Sequence, residues 1–116
     1  MDSIAELTSN INTFRDARDW KQFHNPKDMA VSISIEAAEL LEHFQWKNAT
    51  ECEAHVQSNR EAVADEIADV AIYLFELADL IDLDLGEAIL KKLEKNGGKY
   101  PVGKSRGSNK KYDKLG

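Results

Sequence analysis

Two stretches of the chain repeat one pattern of carboxylates. Residues 33–44 (ISIEAAELLEHF) align with the stretch 30 positions later (VADEIADVAIYL). In this alignment Glu36 falls on Glu66, and Glu39 falls on Asp69. Residues three apart share one side of a helix, so each stretch, if helical, carries its two carboxylates together. Carboxylates transfer protons and bind hard divalent cations, so the pairs are candidates for acid–base or metal chemistry.

An apolar stripe accompanies each pair and predicts how the two helices meet. The stripe residues recur at spacings of three and four, which is typical of amphipathic helices. If the helices pack through their stripes, the four carboxylates converge at one edge of the core, where they repel one another and lose hydration. A magnesium ion would neutralise them, whereas a solvated helix shoulder would need no ion, and both interpretations stay open. The stripes are Ile33, Ala37, Leu40 and Phe44, and Val63, Ile67, Val70 and Leu74.

The same periodicity predicts the elements that position these residues. No run alternates as a strand would, so we predict an all-α fold, a four-helix bundle with a mobile basic C-terminal tail. The division predicted is a helical catalytic domain over residues 1–98 and a tail over residues 99–116. The helices are expected over about 2–19, from Asn25-Pro26 to about Trp46, from a capping box at Ser58-x-x-Glu61 to Ile81, and from Asp84 to Gly97-Gly98. Residues 47–59 are expected to be irregular, apart from a short turn that Thr50-x-x-Glu53 could cap.

Composition and charge narrow the class of protein. The chain has 116 residues, of which 42% are apolar and 31% charged, so it fits one globular domain. Its single cysteine, Cys52, excludes an intrachain disulfide and a cysteine-based zinc site. Residues 1–90 carry 6 basic and 19 acidic side chains, whereas residues 91–116 carry 9 and 2. An acidic body with a basic tail indicates either a solvated tail or a tail that binds an anion while the body holds a cation.

No apolar run approaches the length that crosses a bilayer, so no membrane partner is expected. The start, Met1-Asp2-Ser3, shows no basic region followed by an apolar stretch, so a cytoplasmic location is expected. Stable binding of nucleic acid is not expected, because the acidic body would repel a duplex.

An ordered set of motifs resembles a known family. The set resembles the MazG-like nucleotide pyrophosphohydrolases, an all-α family, and in particular the short single-domain branch that includes the dCTP pyrophosphatases. The resemblance extends from about Phe14 to Leu115. The motifs are Trp20-x-x-Phe23-His24-x-Pro26, Glu36-x-x-Glu39, Phe44-x-Trp46, Glu66-x-x-Asp69-x-x-x-Tyr73, Lys92-x-x-x-Asn96-x-x-x-Tyr100-Pro101 and the tail run Ser108-Asn109-Lys110-Lys111-Tyr112.

The resemblance implies a magnesium-dependent cleavage of a nucleoside triphosphate to the monophosphate and pyrophosphate, with Mn²⁺ able to substitute. It assigns the metal to Glu36, Glu39, Glu66 and Asp69, and catalysis to Glu39 together with Glu36. Glu39 is the first choice for activating water. A deoxynucleotide substrate similar to dCTP and a role in clearing the nucleotide pool are implied as well. The first helix is apolar where related proteins contact the base, which leaves the base preference open.

The remaining roles follow from chemistry with the family as support. A triphosphate needs cationic and amide partners, and a base needs a flat apolar wall. The resemblance also implies a homodimer or homotetramer in which a neighbouring subunit completes the pocket. The phosphate candidates are Lys92, Asn96, Lys99, Lys104, Lys110 and Lys111, and the base or sugar candidates are Phe14, Trp20, His24, Trp46 and Tyr73.

Two other functions compete with the hydrolase. A non-catalytic helical module would bind a nucleotide or a protein and release no pyrophosphate. A nucleic-acid-binding protein would use its basic tail and lose affinity steeply with salt. The carboxylate repeat favours the hydrolase, because an adaptor gains nothing from clustered negative charge.

Overall fold

The structure is a computed structural model that describes residues 3–115. Every regular element in this range is helical, so the all-α prediction is confirmed. The fold divides into two compact units between Leu83 and Asp84. The helices are α1 (Ile4–Ala17), α2 (Pro26–Glu42), α3 (Ala49–Ser58), α4 (Arg60–Leu80), α5 (Leu85–Lys99) and α6 (Val102–Ser105), with 3₁₀ turns at Lys21–Phe23 and Tyr112–Lys114.

Side-chain caps fix the starts of α2 and α5 where the sequence predicts them. The Asn25 side chain accepts a hydrogen bond from the backbone N–H of Asp28, and Pro26 occupies the first turn. The Asp84 carboxylate accepts one from the backbone N–H of Glu87 at 3.0 Å. These side chains satisfy N–H groups that have no partner inside the helix.

The segment predicted as irregular is helix α3, so that prediction was wrong. A capping box begins it: Asn48 accepts from the Glu51 backbone N–H, and the Glu51 carboxylate accepts from the Asn48 backbone N–H. The capping box predicted at Ser58 was wrong as well. Ser58 is the last residue of α3, and its hydroxyl donates to the Ala54 carbonyl at 2.9 Å. Its polar sequence gives α3 no long apolar stripe, and the caps define it instead.

Two predicted helix ends also differ from the structure. Helix α2 ends at Glu42, and the turn that follows places Trp46 in the left-handed region at φ 69°. Helix α5 continues through Gly97 and Gly98 to Lys99, because neither glycine adopts the positive φ that ends a helix. The predicted tail contains α6 and a 3₁₀ turn, and its mobility stays a prediction. Asp2 and Gly116, included in the predicted first helix and tail, lie outside the described residues.

Helix α4 is the centre of the first unit. Helices α1, α2 and α3 each pack against it, and α2 has the most extensive contact. This unit contains four helices, but α3 was not among the predicted ones and α5 belongs to the second unit. The apolar side chains that become fully buried here are few: Met29, Val63 and Ala78. Packing of α2 on α4 therefore rests on a thin core.

Among the described residues, no helix is both long enough and apolar enough to span a membrane.

Met29 should dominate the stability of this core. It is 2% exposed, so Met29→Ala leaves a cavity and should lower the free energy of unfolding by about 2–5 kcal/mol. Met29→Leu keeps the volume and should cost less than about 1.5 kcal/mol. Urea unfolding of the two variants checks this, and equal losses would contradict the assignment of Met29 to the core.

Candidate functional site

Three of the four repeated carboxylates meet between α2 and α4. Glu36, Glu39 and Glu66 each offer one oxygen, and the three oxygens lie within 4.8 Å of one another. Glu36 and Glu39 lie on adjacent turns of α2, and the packing of α2 on α4 brings Glu66 to them. The predicted convergence is thus present for this carboxylate trio, defined as Glu36, Glu39 and Glu66.

Crowding of like charges, with two of the oxygen atoms buried, makes the carboxylate trio electrostatically costly. The Oε2 atom of Glu36 and the Oε1 atom of Glu66 are buried and have no hydrogen-bond partner among the described residues. Two ionised carboxylates are acceptors only, so they can hydrogen-bond each other only if they share a proton. Such sharing with Glu66 raises the pKa of Glu36, burial raises it further, and the charges of Glu66 and Asp69 add to the effect. The trio therefore favours the arrival of a positive charge.

The oxygen atoms suit a hard divalent cation. Mg²⁺ binds oxygen ligands at about 2.1 Å and prefers carboxylates supplemented by water and phosphate. Oxygens within 4.8 Å of one another need only small side-chain shifts to share such an ion. The two buried oxygens that lack a hydrogen-bond partner would become ligands of the ion. On this chemistry the trio fits the metal that the family resemblance implies.

Asp69, the fourth predicted ligand, lies outside the trio. It is one turn beyond Glu66 on α4, and its charge raises the pKa of Glu36. Its side chain lines a neighbouring cavity of about 400 Å³, called the aromatic cavity below. The lining residues are Asn10, Ile11, Phe14, Trp20, His24, Asp69, Ile72, Tyr73 and Glu76.

Aromatic rings form one wall of the aromatic cavity. The rings of Phe14 and Trp20 meet edge to face, with centroids 5.9 Å apart. The Arg18 guanidinium lies 3.6 Å from the centre of the Phe14 ring. This cation–π contact helps to hold the ring in place. Phe14, Trp20, His24 and Tyr73 were all predicted to contact a base or sugar, and the structure brings them to this one cavity.

Two polar groups inside the aromatic cavity have perturbed pKa values. Burial raises the pKa of the Tyr73 hydroxyl, and the charges of Glu36, Glu76, Asp69 and Glu39 raise it further. Tyr73 thus stays a hydrogen-bond donor. Burial raises the pKa of Glu76, while His24 and Arg15 lower it in part. Glu76 is only 6% exposed.

Glu76 was missed from the sequence although its spacing gives a signal. Glu66, Asp69, Tyr73 and Glu76 follow one another at intervals of three, four and three residues, so they form one polar line along α4. The apolar stripe of α4 dominates its sequence pattern and hides this polar line beyond Tyr73.

A second, more open cavity of about 420 Å³ includes two members of the trio in its lining. Glu39 and Glu66 line it together with Glu42, His43 and His55. The Nδ1 atom of His43 and the Nε2 atom of His55 are 2.8 Å apart and share a hydrogen bond. His55 comes from α3, so its presence could not be predicted while that segment was taken as irregular.

The remaining predicted site residues line neither of these two cavities. Trp46 is 90% exposed and lines neither cavity. All six phosphate candidates belong to the second unit. There Lys92 and Asn96 line a groove of about 260 Å³ on α5, and the Lys99 ammonium lies 4.8 Å from the centre of the Tyr112 ring. The three tail candidates, Lys104, Lys110 and Lys111, are exposed.

The fold and the site together define an all-α protein with a carboxylate trio and an aromatic cavity, both lined by residues of α4. The family model of the MazG-like family matches residues 31–115. A crystal structure of a pyrophosphatase from Archaeoglobus fulgidus DSM 4304 superposes with a TM-score of 0.82 at 45% identity, covering 87% of this chain and 94% of that one. The chain therefore belongs to the MazG-like family, and the resemblance seen in its motifs is confirmed.

Curated relatives are similar over most of this chain. The dCTP pyrophosphatase 1 of Mus musculus is 42% identical over 104 residues, and that of Homo sapiens is 40% identical over 104 residues. Each alignment covers 88% of this chain and 61% of the relative. The chain thus spans about three fifths of the length of these relatives.

Magnesium should stabilise the folded chain through the carboxylate trio. An ion that binds only the folded state at 100 times its dissociation constant adds about 2.7 kcal/mol to the free energy of unfolding. In Glu36→Gln this gain should shrink, while the metal-free variant should melt above the metal-free parent because repulsion is relieved.

Thermal melts with Mg²⁺ and with EDTA test this expectation. Glu53→Gln, an exposed change on α3, is the matched control and should respond to Mg²⁺ as the parent does. An undiminished response of Glu36→Gln would remove Glu36 from the metal site.

Proposed function

We propose that the protein is a magnesium-dependent nucleoside triphosphate pyrophosphohydrolase. It would convert a (d)NTP and water to the (d)NMP and pyrophosphate, with a deoxynucleotide similar to dCTP as substrate and clearance of the cytoplasmic nucleotide pool as its role. The observation that carries the proposal is the position of the carboxylate trio beside the aromatic cavity. Asp69 links the two, because it lines the cavity and its charge acts on Glu36.

The carboxylate trio would hold the metal, with Asp69 joining it when a ligand is present. When bound, Mg²⁺ would supply positive charge next to the phosphate oxygens and offset the charge that develops during cleavage. Glu39 is exposed and faces the open cavity. This placement supports Glu39 as the group that orients the attacking water and accepts its proton, with Glu36 beside it.

The aromatic cavity would hold the base and sugar. Phe14 and Trp20 offer flat apolar surfaces for a planar ring. Tyr73 keeps its proton, so its hydroxyl can donate to the sugar or to a phosphate oxygen without adding negative charge. Trp46 is exposed in the single chain, so it would contact the base or sugar where a neighbouring subunit completes the pocket.

The triphosphate needs cationic partners in addition to the metal. The second unit carries the basic side chains and the amide that chemistry requires: Lys92, Asn96, Lys99, Lys104, Lys110 and Lys111. These six residues form the proposed phosphate-binding set. They would neutralise phosphate oxygens that the metal does not reach.

Exposed apolar side chains support assembly into a homodimer or homotetramer. On α2, Ile35 and Leu41 are 52% and 58% exposed, and on α4 Ile67 is 54% exposed. Helices α2 and α4 already pack on each other, so these side chains are the ones that their pairing leaves uncovered. Several large apolar residues left in water on neighbouring helices are typical of an interface between copies of a chain.

Loss of single carboxylates should abolish turnover without unfolding the chain. Glu39→Gln and Asp69→Asn remove charge at nearly constant shape, so kcat/KM with dCTP and Mg²⁺ should fall at least about a hundredfold, or roughly 2.7 kcal/mol of barrier. Pyrophosphate release measures the rate, and circular dichroism checks the helix content.

Matched controls come from exposed carboxylates of the same types. Glu53→Gln on α3 and Asp65→Asn on α4 should keep the parental rate. If the parent releases no pyrophosphate from any dNTP or NTP with Mg²⁺, the proposed activity is wrong and the binding module is favoured. If Glu39→Gln and Asp69→Asn both keep the rate, the site assignment is wrong.

The oligomer should be measurable directly. Light scattering after size-exclusion chromatography should give a mass of two or four chains, against 13.1 kDa for one. Ile67→Glu places a charge on the exposed apolar surface of α4 and should shift the mass downward. A parental chain that elutes as a monomer at all concentrations would contradict the proposed assembly.

A further inference from the structure

Glu76 is a buried carboxylate whose position the proposed reaction does not explain. It is 6% exposed, lines the aromatic cavity, and its Oε2 atom has no hydrogen-bond partner among the described residues. The Nδ1 atom of His24 lies 3.9 Å from this oxygen, which is beyond hydrogen-bond distance. A buried acceptor without a partner is destabilising, because it has lost its water and gained nothing in return.

The charges of His24 and Arg15 offset the burial of the Glu76 carboxylate only in part, and its Oε2 atom is left without a hydrogen-bond partner. The buried side chain of Arg15 and the imidazole of His24 both act on Glu76 electrostatically. However, the Arg15 Nε atom donates to Asp16 at 2.9 Å, and the Nδ1 atom of His24 is itself buried and without a hydrogen-bond partner. Two unpartnered polar atoms thus face each other across 3.9 Å at the wall of one cavity.

The chemistry of these two atoms defines what can bind between them. An ionised carboxylate only accepts hydrogen bonds, whereas a neutral imidazole with its proton on Nδ1 donates there. The complementary ligand is flat, fits an aromatic wall, and carries a donor directly beside an acceptor. Cytosine and adenine offer this edge, an exocyclic amine next to an unprotonated ring nitrogen. Uracil, thymine and hypoxanthine offer a carbonyl next to a ring N–H, which is the reverse pattern.

We propose that Glu76 is the residue that selects the base: its carboxylate accepts a hydrogen bond from the exocyclic amine, and His24 donates to the neighbouring ring nitrogen. The site therefore takes nucleotides with an amino base and rejects their keto counterparts. This inference rests on the proposed pyrophosphohydrolase activity. Base selection would then lie on α4, on the same polar line as Glu66, Asp69 and Tyr73.

Two substrate pairs test the proposal on the parental protein. Members of the pairs dCTP and dUTP, and dATP and dITP, differ in this edge of the base alone. The parent should show a kcat/KM about ten- to a hundredfold higher for the amino member of at least one pair, because a hydrogen bond to a charged group is lost with the keto member. The pair that shows the larger ratio identifies cytosine or adenine as the base. Equal rates within both pairs would overturn the proposal.

A substitution then assigns the selection to Glu76. In Glu76→Gln the amide can accept from an amine or donate to a carbonyl, so the amino-to-keto ratio should fall at least tenfold while release from the keto member is kept or raised. Glu61→Gln, at the exposed start of the same helix, is the control and should keep the parental ratio. A Glu76→Gln protein that loses rate equally for both members would show that Glu76 serves structure alone, and would overturn the proposal.

A modified substrate keeps the test decisive if Glu76→Gln does not fold. N4,N4-dimethyl-dCTP keeps the ring nitrogen but has no N–H to donate, so the parent should process it at least tenfold less well than N4-methyl-dCTP, which keeps one. Equal processing would overturn the role of Glu76. Absence of pyrophosphate release from every triphosphate would instead refute the proposed function, and this inference with it, so the two failures are distinguishable.

Discussion

Repulsion between carboxylates that helix packing forces together is the constraint on which the site depends. The contact of α2 with α4 brings three carboxylate oxygens within 4.8 Å, and one oxygen each of Glu36 and Glu66 is left buried without a partner. Like charges at such distances raise pKa values and lower stability unless a cation or a proton arrives. The thin apolar core, centred on Met29, Val63 and Ala78, has to offset this repulsion in the free protein. A protein that keeps so costly an arrangement is expected to use it for binding.

Helix α4 organises the rest of the first unit around that constraint. Its polar line begins with Glu66 in the carboxylate trio, continues through Asp69 and Tyr73, and ends at the buried Glu76. One helix thus sets the spacing from the carboxylate trio to Glu76 in the lining of the aromatic cavity. Because the helix rises about 1.5 Å per residue, ten residues span roughly 15 Å, a length suited to a ligand with a charged end and a planar end. The charges of Glu36, Asp69 and Glu39 raise the pKa of the Tyr73 hydroxyl. Charge at the trio therefore acts on a polar group of the aromatic cavity.

The sequence predicted the parts of this arrangement that follow from periodicity. The repeat of Glu36 and Glu39 at Glu66 and Asp69 predicted that the carboxylates converge, and three of the four do meet. Packing through the matching stripes is met only in part, because Val63 is buried whereas Ile67 and Leu74 are 54% and 43% exposed. Helix α3 could not be predicted in this way, because caps at Asn48 and Glu51 define it rather than an apolar stripe, and His55 was lost with it. Glu76 was missed because a single carboxylate among apolar neighbours gives no pattern until the polar line of α4 is followed. The roles of the lysines depend on how chains and substrate come together, which periodicity does not encode.

The central claim is that the carboxylate trio holds a divalent cation against the phosphates of a nucleotide. A crystal structure with Mn²⁺ and a non-hydrolysable α,β-imido analogue of dCTP tests it most directly, because the anomalous signal of manganese locates the ion independently of the protein. We expect an anomalous peak at about 2.1 Å from oxygens of Glu36, Glu39 and Glu66, shared with phosphate oxygens, and a base in the aromatic cavity between Trp20 and Glu76. Nucleotide bound elsewhere, or bound with the trio free of metal, would contradict it.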